Sequence, residues 1–131
     1  MGGYWGRSGR ATEIGDALYA RAVVFQSGTR CCALVSMDLV SISAEIVGQM
    51  RTRISACTDL APNSVMVCAS HTHSGPLTLA YRGMGSVDEG YVDRVISAVV
   101  ESVAQACAVC EEARLYYARP PVQIGQNRRS P

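Results

Sequence analysis

Lysine is missing from this chain: all 12 basic residues among its 131 are arginine, set against 11 acidic residues and scattered along the sequence. A formal net charge of +1 without a basic run excludes a nucleic-acid groove or a polybasic membrane patch as the main feature of the surface. The arginines do not alternate with aromatics as a stacking platform for single strands requires. No apolar run approaches the ~20 residues needed to cross a bilayer. The opening Met-Gly-Gly-Tyr-Trp-Gly lacks the charged and apolar regions of a signal peptide. The chain as given is therefore expected in the cytoplasm, or in the periplasm or outside the cell if a signal precedes Met1.

Histidine is nearly absent too, with two residues, His71 and His73, in the whole sequence. Loop-borne cysteine pairs are another absence. The six cysteines, Cys31, Cys32, Cys57, Cys68, Cys107 and Cys110, fall in apolar periodic segments, so reduced and buried thiols are expected rather than a disulfide framework. The one chemically suggestive spacing is Cys107-Ala-Val-Cys110. It reads as half of a four-cysteine zinc site or as a redox pair, and no second Cys-x-x-Cys completes a structural zinc site.

What is present is a composition of 48% hydrophobic and 18% charged residues, which suits one globular domain over residues 1–131. Residues 1–16, with glycines, Tyr4, Trp5, Arg7 and Arg10, read as an irregular loop. Leu18 to Gln26 is rich in β-formers, Ser27-Gly28-Thr29 marks a turn and Cys31 to Met37 is a second apolar run, a hairpin signature. From Ser43 the period becomes helical, with Ile46, Val47, Met50, Ile54 and Cys57 on one face, and Pro62-Asn63 ends that unit. Ser64 to Ala69 has the nearly continuous apolar character of a buried strand. Ser86-Val-Asp-Glu89 offers a capping box ahead of the stripe Val92, Val95, Ile96, Val99, Val103, Ala106 and Cys110. Ala113 to Ala118 returns to strand character before Pro120 and Pro121.

The expected fold is α/β: a β-hairpin followed by β-α-β-α-β units, in a mixed, mostly parallel sheet with helices packed on it. Right-handed crossovers place the strands near 31–37, 64–69 and 113–118 parallel, so their carboxyl ends share one edge. Ligand sites of open α/β sheets lie at that edge. There the sequence places Asp38, then His71 and His73, then the segment Gln123 to Ser130.

In an extended segment residues i and i+2 project from the same side, so His71 and His73 can reach one metal ion at ~2.0 to 2.1 Å each. Hydrogen-bonded loop histidines are the plainer alternative. Asp38 can orient a ligand histidine through its second ring nitrogen or cap the turn into the next helix. Asn127 is a turn residue or a pocket donor. Tyr81, Arg82, Gly83 and Gly85 form a loop that lines a pocket or simply connects.

The run Ser70-His71-Thr72-His73-Ser74-Gly75-Pro76 resembles the signature of the neutral, non-lysosomal ceramidase family, zinc amidases that cleave the N-acyl bond of ceramide. Leu18 to Phe25 and Leu34 to Leu39 are similar to that family's preceding strands in the same order. Gly125-Gln-Asn-Arg-Arg-Ser130 is similar to its downstream Asn-Arg motif. The resemblance implies a hydrolase of lipid, and specifically sphingolipid, metabolism, with zinc as cofactor and a ceramide-like lipid amide as substrate. It implies that His71 and His73 are zinc ligands, that Arg128 contacts the substrate or the developing oxyanion, and that Asp38 stands behind the ligands. It implies an N-terminal portion of the catalytic domain, inactive alone, because the family's further histidine, glutamate, tyrosine and serine have no counterparts here and the remainder of the domain is needed to complete the site. Two rival readings stand beside it: a non-catalytic binding or assembly module, and a small self-contained zinc-binding protein using Cys107 and Cys110.

Overall fold

The computed structural model describes Gly2, residues 11–125 and Arg129. Two antiparallel strands come first, β1 (Ala20–Ser27) and β2 (Arg30–Met37), in a register that pairs Ala20 with Met37 and Ser27 with Arg30. The two-residue connection puts Gly28 at φ +58°, the backbone region a side chain resists and a hairpin with glycine at its first loop position requires. Alternation then sorts the faces. Ala33, Val35 and Met37 of β2 turn inward and are buried, while Cys32, Leu34 and Ser36 turn outward.

Helix α1 (Ala44–Cys57) begins where the Ser43 hydroxyl accepts a hydrogen bond from the Ile46 amide at 3.2 Å, and it buries Met50 and Ile54. It leads through a single 3-10 turn (Pro62–Ser64) into β3 (Val65–Ala69), which runs parallel to β2 with Ala33 opposite Val65 and Met37 opposite Ala69. The Arg51 Nε donates to the Val65 carbonyl at 2.9 Å, fastening α1 to the start of that strand. Helix α2 (Glu89–Ala108) buries Val92, Ile96, Val99 and Val103 along one stripe. Those side chains, with Met50 and Ile54 of α1, cover the inward face of the sheet and form one core. Each such burial is worth about 1.5–3 kcal/mol, so packing rather than helix propensity fixes the helices.

The fold is therefore the α/β arrangement read from the sequence, a mixed three-stranded sheet in the order β1-β2-β3 with two helices on one face. Three details differ. The cap of α2 is Asp88, whose carboxylate accepts from the Tyr91 amide at 3.0 Å, so the helix starts later than a Ser86 cap implies. Among the described residues nothing covers the outer face of the sheet: Val23, Phe25, Leu34 and Met66 are exposed, Met66 to 58%. An apolar run alone could not reveal that β3 is buried on one face only.

Residues 113–118 form no strand and lie exposed, Leu115 to 85%. β-propensity expresses packing on a pleated surface, and this segment pairs with neither of the outer edges that β1 and β3 leave open. Without that strand the described sheet is evenly mixed, one antiparallel and one parallel pair, rather than mostly parallel.

Candidate metal site at the carboxyl ends of β2 and β3

Because β2 and β3 are parallel and in register, both chains leave the sheet at one end. Residues 38–41 follow β2 there, and 70–76 follow β3. The two segments are stitched together by backbone hydrogen bonds, Ser70 N to the Met37 carbonyl at 2.9 Å and His71 N to the Leu39 carbonyl at 3.0 Å. His71 itself has φ +64°, alone in that among the described non-glycine residues. A side chain there costs on the order of 1 kcal/mol or more. The surroundings hold it: besides the amide bond, the His71 ring Nδ1 lies 2.6 Å from the Val40 carbonyl.

That contact decides the ring's chemistry. A carbonyl oxygen only accepts, so Nδ1 carries the proton and the Nε2 lone pair is left for a ligand. The His73 ring stands edge-on to it, with centroids 4.9 Å apart and planes at 79°, and its Nδ1 is buried. A ring centroid sits roughly 3.2 Å from an ion bound through one of its nitrogens, so two rings on one tetrahedral ion have centroids roughly 5 Å apart. The observed separation fits. The sequence argument assumed an extended backbone through His71, whereas the left-handed turn there brings the rings together by another route.

The following loop is anchored on the segment after β2. Thr78 is buried and its hydroxyl donates to the Ser41 carbonyl at 2.6 Å, while the Tyr81 hydroxyl donates to the Ser41 Oγ at 2.7 Å. Gly75 is buried, and a Cβ there would meet the Leu18 side chain at 3.1 Å and the Asp38 carbonyl at 3.4 Å. The acceptors at the Ser41 and Val40 carbonyls carried no sequence signal, since a backbone carbonyl has no side chain to read.

Asp38, read from the sequence as standing behind a ligand histidine or capping a turn, reaches Tyr19 and Arg21. Its carboxylate accepts from the Tyr19 amide at 3.1 Å and pairs with the Arg21 guanidinium at 3.1 Å. The Tyr19 amide, and after it Arg21, hold the Asp38 carboxyl below the usual carboxylate range. The group that orients His71 is the Val40 carbonyl. Beside Asp38 lies a cavity of about 170 Å³ whose walls include Leu18, Tyr19, Met37, Tyr91 and Arg94, and neither histidine lines it.

Arg128 and Asn127, with Tyr4, Trp5, Arg7 and Arg10, lie outside the described residues. Among the described residues, no group of three or more His, Cys, Asp or Glu side chains is placed to hold a metal ion, the Cys107 and Cys110 pair included. No described helix is long and apolar enough to cross a membrane. Comparisons with protein families, curated proteins and solved structures give no match.

Proposed function

We propose that this chain supplies two zinc ligands, the imidazoles of His71 and His73, to a zinc-dependent amidase that hydrolyses the N-acyl bond of ceramide or a related lipid amide to a fatty acid and an amino alcohol. The observation that carries the reading is the left-handed His71, strained yet fixed at its amide and its ring by two carbonyls, with the His73 ring 4.9 Å away. Strain kept at a residue that can ligate a metal is a recurrent property of functional sites. Bound zinc supplies Lewis acidity, polarising an amide carbonyl and lowering the pKa of a coordinated water.

The chain's own residues orient that chemistry. Val40 sets the His71 tautomer, and Ser41 with Thr78 and Tyr81 holds the loop that follows the ligands. Arg128 is the proposed contact for the substrate or the oxyanion. Two imidazoles fall short of the three protein ligands of a catalytic zinc site, so the reading assigns the third ligand and the lipid pocket to a remainder of the catalytic domain. The uncovered apolar face around Val23, Phe25, Leu34 and Met66 gives that remainder a surface to pack on. The same face favours a second reading, a non-catalytic assembly module that docks through it.

Zinc analysis and an N-acylsphingosine hydrolysis assay separate the two. The 131-residue chain is expected to lose zinc on dialysis and to hydrolyse nothing. Protein from the uninterrupted reading frame is expected to retain one zinc and cleave the amide. His71→Ala and His73→Ala should each weaken zinc binding there by about a hundredfold or more. Zinc retained undiminished by the doubly substituted protein would sink the ligand assignment, and a frame that encodes no further ligands would leave the assembly module in its place.

A further inference from the structure

Residues 113–118, Ala-Arg-Leu-Tyr-Tyr-Ala, have the sequence of a strand but no strand beside them. They follow α2 and expose Leu115, Tyr116 and Tyr117 to 85%, 81% and 86%. In an extended chain Leu115 and Tyr117 project to one side and Tyr116 to the other. Docking flat on a surface would cover only one of those sides. Insertion beside another strand gives each side chain a cross-strand neighbour on its own face. Glu111 and Glu112 precede the segment and Pro120 and Pro121 follow it, and proline ends a strand because it has no amide to donate.

The sheet offers the matching half. In the order β1-β2-β3 its two outer edges have no further strand among the described residues. The Ser70 amide donates to the Met37 carbonyl, so Ser70 faces β2. By alternation the amides and carbonyls of Val67 and Ala69 point the other way, along the outer edge of β3. The Val65 carbonyl on that edge is taken by Arg51. β3 itself, Val-Met-Val-Cys-Ala, has no charge, no proline and no glycine, and so lacks the devices by which native sheets turn a further strand away. The edge formed by β1 carries Arg21 and ends in Gln26 and Ser27, which makes β3 the more receptive of the two.

We propose that residues 113–118 of one copy add as a strand to the β3 edge of a second copy, and reciprocally, so that two chains form a two-fold symmetric dimer by strand exchange. One chain carries both the unpaired segment and the unpaired edge, and a second copy satisfies both at once. Main-chain hydrogen bonds at Val67 and Ala69 supply the attachment, and the alternating Leu115, Tyr116 and Tyr117 extend the apolar surface on either side of β3. A tyrosine buries about 150–250 Å², so two exchanged segments, with the edges that receive them, approach the roughly 1,200–2,000 Å² of a specific interface. The exchange uses the edge of the sheet rather than its outer face and involves neither histidine, so it stands apart from the zinc reading.

Light scattering across a concentration series of the full chain, with hydrogen exchange read by NMR, tests the exchange. A species of twice the monomer mass is expected, in which the amides of Val67 and Ala69 and those of the 113–118 segment are protected. Tyr116→Asp combined with Tyr117→Asp alters exposed side chains outside the core and is expected to weaken association at least about tenfold. Val67→Pro removes an amide from the open edge while sparing the bonds to β2, with the same effect. Mixed together, the two variants supply one sound edge and one sound segment, so a heterodimer forms where neither variant dimerises alone. Circular dichroism checks that Val67→Pro folds. Should it unfold, protection of the Val67 and Ala69 amides in the parent, lost in the tyrosine variant, carries the assignment. A chain that stays monomeric at every concentration, a dimer that survives both variants, or protection that falls on β1 in place of Val67 and Ala69 overturns the proposal.

Discussion

The two ends of this sheet are built by different means. At the carboxyl end, where His71 and His73 lie, positions are set by the backbone: the carbonyls of Met37 and Leu39 accept from the amides of Ser70 and His71, and one residue is held at positive φ. At the amino end, where Cys31 and Cys107 lie, positions are set by side chains packed on a shared apolar core. Hydrogen bonds with narrow distance and angle requirements can fix a metal ligand's direction. Packing fixes proximity more than direction. Both ends thus share one core.

The strongest test of that shared core is Ile54→Ala, since Ile54 is fully buried in it. A loss of about 2–5 kcal/mol in urea denaturation is expected, with hydrogen exchange rising at both ends together. Loosening confined to one end would break the comparison by showing two cores.

A smaller effect separates the ends. His71→Val places a β-branched side chain at φ +64° and is expected to cost about 1–3 kcal/mol. His71→Gly removes that strain along with the ring contact, and chemical denaturation should find it the more stable of the two variants. Equal stabilities would mean that the left-handed turn imposes no strain.

The smallest effect is a pH dependence at Asp38. The Tyr19 amide and Arg21 lower its folded pKa, so the unfolded state binds the proton more tightly. The stabilisation is present above the unfolded value of about 3.9 and is lost as pH falls through the lower folded value. Thermal melts from pH 5 to 2 should therefore be less steeply pH-dependent for Asp38→Asn than for the parent. Arg21→Ala should recover only part of that change, because the amide of Tyr19 is the larger cause.

Much of the fold was legible because its signals are local. Gly28 marks the hairpin, the stripe Met50 and Ile54 marks α1, and Val92, Ile96, Val99 and Val103 mark α2. The strand expected at 113–118 failed because propensity says nothing about whether an edge is at hand to pair with. The choice of Asp88 over Ser86 as cap turned on where the helical backbone starts, a boundary the capping pattern leaves open by a turn. Asp38 was legible as a polar residue at the working edge but not in its partners. Tyr19 and Arg21 approach it from β1 and its leading residue, a neighbour created only by the hairpin register.

By itself the sequence determined the α/β pattern and the two histidines at a strand end, because hydrophobic period and residue chemistry are carried by the residues themselves; the burial expected of the six cysteines does not hold, since each is half-buried or exposed. Only the tertiary structure decided that His71 sits left-handed against the Val40 carbonyl and that Asp38 pairs with Arg21 and the Tyr19 amide. Each of those depends on contacts between segments far apart in the chain, whose geometry no local pattern encodes.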